Sequence, residues 1–218
     1  MENENQTNEN QTSDNISKGK EMGQKAFDEA KEATGQAFKA MKALISDPIG
    51  GQDVTLKELG KSNALRAGIV FAVIFAIASY LLGHSFIATA LAFGGSSSLY
   101  FKLIIFSVIP PIAVFALFYL VMKFISKEKE ELSTVIYTTG VSVIPLALLF
   151  FCIKIIGLSD SILLPAIGIF CISTTFLLIN SSLQDIYKLS TRKSVLITPA
   201  IVFVAGYVSG LIFQVLMY

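Results

Sequence analysis

Five long apolar blocks, separated by short loops, constrain this chain more than any other feature. They run Ala64–Gly83, Leu103–Met122, Ser133–Ile156, Ile162–Ile179 and Val195–Met217. Each is close to the ~20 residues that a helix rising about 1.5 Å per residue needs to cross ~30 Å of hydrocarbon. Inside a bilayer no water satisfies backbone N–H and C=O groups, so a spanning segment is a helix or part of a closed barrel. Barrel strands alternate apolar and polar residues over ~10 positions, and these runs are longer and continuous. The sequence therefore predicts an all-α fold, a polytopic membrane bundle of five transmembrane helices.

The charge is segregated to match. Only 15% of residues are charged, against about 25% in soluble domains. Eleven of the 16 acidic residues precede residue 60. No basic stretch is interleaved with aromatics on a soluble face, which argues against nucleic acid as a partner. Residues 1–14 are polar and the first apolar block starts near residue 64, unlike a signal peptide.

Lysine and arginine set the expected orientation. Nine of them, from Lys18 to Arg66, precede or open the first span. The loop after the second span holds Lys123, Lys127 and Lys129, and the loop after the fourth holds Lys188, Arg192 and Lys193. The intervening loops carry only Lys102, and the tail carries none. Basic residues are retained in the cytoplasm, so the N-terminus is expected inside and the C-terminus outside. Three N-terminal glycosylation patterns and Asn180-Ser181-Ser182 then fall on the cytoplasmic side and read as chance.

Ahead of the spans lies a head of three parts. Residues 1–15 repeat Asn-Glu-Asn-Gln-Thr and are too polar to offset the entropy of ordering, so disorder is expected. Residues 16–46 place Ile16, Phe27 and Phe38 in phase at eleven-residue spacing, with Ala30, Ala33 or Thr34, Ala37, Met41, Leu44 and Ile45 on the same stripe. This predicts a cytoplasmic amphipathic helix. It would lie on the inner leaflet through Ile16, Phe27, Phe38 and Met41, pair with a partner helix, or remain a solvated linker. Asp47-Pro48 and Gly50-Gly51 end it. Residues 47–63 are expected to be a linker and residues 64–218 the membrane domain.

Several spans carry irregularities. Pro110-Pro111, Pro145, Pro165 and Pro199 interrupt four of them and are expected to kink each helix. Gly206 and Gly210 form a GxxxG, supplemented by Ala205 and Ser209. Such residues let backbones approach closely, for packing within the chain or for dimerisation, which makes a homo-oligomer one candidate state. Lys154 is the one ionisable group within a span, about a turn from its outer end, where its stem can snorkel to the interface toward Asp160. His84 follows the glycine closing the first span and reads as a wet interfacial imidazole. Cys152 and Cys171 lie inside spans and read as buried structural thiols.

No HExxH, GxSxG, Walker-type loop or paired carboxylates occur, and Gly94–Ser98 lacks the Lys-Ser/Thr that would make it a phosphate cradle. The sequence thus suggests no enzyme, cofactor or metal site.

Asp47-Pro48-Ile49-Gly50-Gly51 before five spans, with Gly140-Val141-Ser142-Val143-Ile144-Pro145-Leu146 in the third, resembles the Yip domain family of five-span membrane proteins. Val141 stands where that family usually has an aromatic, and the Asp-Leu-Tyr-Gly-Pro stretch of eukaryotic members is absent. Eukaryotic members bind Rab-type GTPases in vesicle transport; this chain is closer to the prokaryotic branch, for which that role does not carry over. Gly140 and Pro145 would then be helix-packing residues.

The expected function is a non-enzymatic scaffold or trafficking-type adaptor in a prokaryotic cytoplasmic membrane, with the bilayer and an unidentified protein as partners. The alternative is a small-solute transporter or channel subunit built on the proline-broken helices. A shared cavity lined by Thr138, Thr139, Ser142, Ser173 and Thr174 would favour the transporter, and a solid bundle the scaffold.

Overall fold

The computed structural model describes the backbone of residues 2–47, 50–92, 98–126, 131–157 and 162–217, and side chains from residue 20 to 215 apart from 48–49, 85–97, 127–130 and 158–161. The described residues are helical: α1 (Glu2–Ser46), α2 (Gly51–Ala92), α3 (Ser98–Phe124), α4 (Leu132–Ile156), α5 (Leu163–Ser181) with a π-turn at Ser182–Ile186, and α6 (Thr191–Met217). Five segments are long and apolar enough to span a membrane: Gly51–His84, Ser98–Phe124, Leu132–Ile156, Leu163–Ile186 and Thr191–Val215. The chain is an integral membrane protein by this architecture.

Ring and ion-pair contacts show how the spans run. Lys61 pairs with Glu131 at the start of α4, and further along the same two helices Phe75 meets Phe150 at 5.5 Å. Thus α2 and α4 are parallel. Gly83 near the end of the α2 span packs on Leu103 near the start of α3, and Phe106 meets Phe213 near the end of α6 at 5.0 Å. One end of the bundle therefore collects Lys61, Arg66, Lys123, Lys188, Arg192 and Lys193, and we call it the basic end.

The most extensive helix pair is α2 with α4. Its seam is made by glycine. A Cβ on Gly68 would lie 2.5 Å from the Ile136 carbonyl oxygen, and one on Gly140 would strike the Gly68 carbonyl and lie 2.9 Å from its Cα. Lipid tails are as apolar as side chains, so helix association in a bilayer relies on such close van der Waals approach. Phe75, Phe118, Val135, Ile179 and Leu183 fill the core beside this seam.

Three expected boundaries shift. The linker at 47–63 is instead helical from Gly51, because Gln52, Thr55 and Leu59 are buried against the bundle. It is set off from the span by Gly60, whose φ of 68° lies in the left-handed region that glycine enters without a Cβ penalty. The fourth span runs on through the π-turn, burying Ser182, Leu183 and Ile186. Finally, α1 continues back to Glu2 through the tract whose polarity predicts disorder; extending an existing helix adds one hydrogen bond per residue ordered and needs no new nucleus. The side chains of residues 1–19, Ile16 among them, and residues 93–97 lie outside the described residues.

Pro110, Pro111, Pro145 and Pro199 sit inside helices. Pro165 does not interrupt its helix. It falls in the first turn of α5, where a missing N–H removes no intrahelical bond.

Candidate functional site: a helical hairpin docked at the basic end

The end of α1 and the start of α2 fold into a hairpin. Asp47 makes the turn: its carboxylate accepts the Gly50 N–H at 2.8 Å, and its carbonyl accepts the Gly51 N–H at 2.9 Å. Gly51 leaves no room for a side chain, since a Cβ there would lie 2.9 Å from the Ala43 carbonyl oxygen. Lys39 and Glu58 face each other across the hairpin at 3.6 Å, and Glu32 reaches Arg66 at 2.8 Å.

The expected apolar stripe on α1 divides in two. Ala37, Ala40 and Leu44 are buried against Leu59, Ala64, Ala67, Phe71, Tyr137, Val141 and Leu178, with Met41 half-buried beside them. Phe27 and Phe38 point away, at 65% and 73% exposure. α1 packs mainly along α2, its small residues bringing the two axes close, and the large aromatics are left outside.

Gln52 fastens the hairpin to the bundle. Its side chain is fully buried, and its Nε2 donates to the Leu178 carbonyl at 2.9 Å. Ser182 Oγ lies 2.6 Å from Gln52 Oε1 and 2.8 Å from the Leu178 carbonyl, and can give its single proton to either. This carbonyl stands at the junction of α5 with the π-turn, where the Ser182 N–H divides itself between Leu178 and Ile179. π-turns recur where a helix presents groups to a site rather than only packing. Nearby, Thr55 Oγ1 and Tyr137 OH are buried without a protein hydrogen-bond partner of good geometry. Sequence reading missed Gln52 because one amide in a short polar segment has no periodic signal.

Tyr187 closes the same end from the other side. Its ring stacks on Phe118 at 5.6 Å and its hydroxyl pairs with Thr138 Oγ1 at 3.0 Å, while its carbonyl accepts from Ser126 Oγ at 2.9 Å. One side chain thus ties the loop before α6 to both α3 and α4.

The remaining sequence candidates are scattered. Gly140 lies in the α2–α4 seam and Pro145 is buried in α4. Gly206 and Gly210 meet nothing within 4 Å; the buried small pair on α6 is Ala205 and Ser209. Lys154 is exposed in the last turn of α4, where a cation favours the helix dipole; Asp160 is outside the described residues. His84 stands exposed between Tyr80 and Tyr100, at 6.1 and 5.2 Å. Cys171 is buried and Cys152 half-buried, both as free thiols. No metal-ligating cluster occurs among the described residues.

The five hydroxyl residues expected to share a cavity do not. A central cavity of about 220 Å³ is lined by all five spans, with Ser142, Thr175 and Ser209 among its walls. Each of these hydroxyls donates backwards into its own helix, to the carbonyls of Thr138, Cys171 and Ala205 at 2.7, 3.0 and 2.7 Å. The space is left apolar. Thr139 and Thr174 line two separate grooves, Ser173 is exposed, and Thr138 is taken up by Tyr187.

Compared with protein-family models, with curated proteins and with solved structures, the chain finds no match in any of the three.

Proposed function

We propose that this chain is a non-enzymatic membrane scaffold or adaptor whose α1 helix is the contact surface. The observation that carries the reading is the division of α1. Its last turns bury Ala37, Ala40 and Leu44 against the bundle, whereas from Lys20 to Gly35 every residue but Ala33 is exposed. A helix so held is an arm, fixed at its base and open along its length. Phe27 and Phe38, with Lys25, Lys31, Lys39 and Lys42, give that arm the composition of a segment that meets an anionic membrane surface or a partner helix.

The central cavity supports the same reading over a transporter. A polar solute needs groups to replace its hydration shell, and the hydroxyls around this cavity are turned into their own helices. The basic end faces the cytoplasm in this proposal, by lysine retention, and the host is a prokaryotic cytoplasmic membrane. The likeness to the Yip domain family stands as part of the proposal. It draws support from the place of its two motifs: Asp47, Gly50 and Gly51 build the hairpin turn and Gly140 builds the α2–α4 seam.

Two measurements test this. Reporters fused after Lys127 and after Tyr218 should read cytoplasmic and extracytoplasmic; the same side for both sinks the topology. A photo-crosslinking residue at Phe27 in the full-length protein in its own membrane should yield a discrete protein adduct, and lipid adducts alone would remove the adaptor role.

A further inference from the structure

A second feature of the basic end lies apart from the hairpin. The end of α3, the π-turn and the start of α6 enclose a pocket of about 390 Å³ lined by Ile125, Gln184, Lys188, Leu189, Ser190 and Lys193. It is the polar one among the cavities described, and two of its lining residues are lysines. Lys188 holds a backbone φ of 52°, a conformation that residues with a Cβ rarely adopt. Its ammonium donates to the Asp185 carbonyl, which fixes the side chain over the π-turn. Ser190 accepts the Lys193 N–H at 2.9 Å and the Ser194 N–H at 3.0 Å. These bonds occupy the Lys193 and Ser194 N–H groups within the helix, so α6 adds only the positive field of its N-terminus to the two lysines.

The surroundings say what kind of anion fits. Leu189 is buried in the floor, and the helices leaving the pocket are apolar toward the outside, with Phe124, Ile125, Val195 and Leu196 all exposed. These residues lie where α3 ends and α6 begins, at the boundary of the spanning segments. A cationic pocket opening directly onto an apolar outer face matches a molecule with an anionic head and a hydrocarbon tail. A free phosphate would use the first part and leave the second without purpose.

We propose that this pocket binds the phosphate headgroup of an acidic phospholipid, held by Lys188 and Lys193, with its acyl chains along the α3–α6 face. Gln184 and Ser190 supply neutral hydrogen bonds to the head. The assignment requires only that the helices span a bilayer, so it stands or falls independently of the partner of α1.

The test uses the full-length protein in detergent, loaded with phosphatidylglycerol or with phosphatidylcholine of the same chains, and counts retained lipids by native mass spectrometry. Phosphatidylglycerol should be retained in preference, by about thirtyfold given two lysines near the charge. Lys188→Glu with Lys193→Glu should erase the preference, and Lys57→Glu, on the α2 arm of the hairpin and outside the pocket, should leave it intact. Lys188→Gly is the variant that keeps folding out of the question. Glycine accepts the left-handed backbone at no cost, so thermal stability should hold or rise while the preference falls. Equal retention of the two lipids would overturn the proposal, and so would an equal loss in Lys57→Glu, which would mean diffuse charge rather than a site. Displacement of bound phosphatidylglycerol by millimolar inorganic phosphate would also overturn it, in favour of a free-anion site.

Discussion

Gly68 and Gly140 on one side of the molecule, and Gly206 and Gly210 on the other, are the same residue put to opposite use. In the first pair backbone meets backbone, and a single added carbon on either glycine collides. In the second pair nothing approaches within 4 Å, although the spacing is the one associated with tight helix pairs. Small residues thus permit close approach but do not select it. At α2–α4 the approach is enforced by what flanks it: Ala64, Ala67, Phe71, Val141 and Tyr137 are all buried around the seam. On α6 the flanking Phe203 and Tyr207 are exposed and stack on one another at 6.1 Å, and it is the adjacent Ala205 and Ser209 that face inward.

The hairpin seat is intermediate. Ala37 and Ala40 bring α1 close in the manner of the seam, but the anchoring contact is a buried amide rather than a fit of backbones. Its ion pairs, Lys39 with Glu58 and Glu32 with Arg66, are largely exposed and contribute at most about 1 kcal/mol each.

The contrast breaks most visibly under substitution at the glycines. Gly140→Leu should destabilise the folded bundle by about 3 kcal/mol or more, because the backbone opposite cannot yield as a side chain would. Gly206→Leu should change stability by no more than about 0.5 kcal/mol, as for an open surface position. Thermal unfolding in one detergent compares them directly. Similar losses for the two would mean that α6 is gripped by a second copy of the chain.

The hairpin should respond less strongly. Gln52→Leu removes both side-chain hydrogen bonds from the hairpin to the bundle, while Ser182 Oγ and the Leu178 carbonyl keep each other as partners, a loss of roughly 0.5–1.5 kcal/mol per bond. A cysteine placed at Leu44, with Cys152 and Cys171 replaced, should then label faster, while the melting of the bundle moves little. Unchanged labelling would show that the alanine contacts alone hold α1 down. The smallest effect belongs to Glu32→Ala, about 0–1 kcal/mol on the same labelling rate and fading with added salt.

The five spans were legible because each is a local property: about twenty apolar residues in a row have one stable state in hydrocarbon, whatever their neighbours do. The collection of basic residues at one end of the bundle was legible for the same reason, as a matter of which loops carry lysine. The end of α1 at Asp47 was also readable, since proline restricts the residue before it and glycine frees the chain to turn. What followed that turn was not. Residues 47–63 read as a linker because Gln52, Thr55 and Leu59 are too few and too mixed to show a period, and they become a helix only when the bundle covers them. The same holds for α1, whose stripe of alanines and aromatics cannot announce which half is gripped. Side-chain size along one helix is a sequence property, but which of its faces is covered is decided by where α2 lies against it. Gly140 and Gly206 differ for that reason too: whether a missing side chain is a contact or an open face depends on a surface elsewhere in the chain, and only the assembled tertiary structure brings that surface into place.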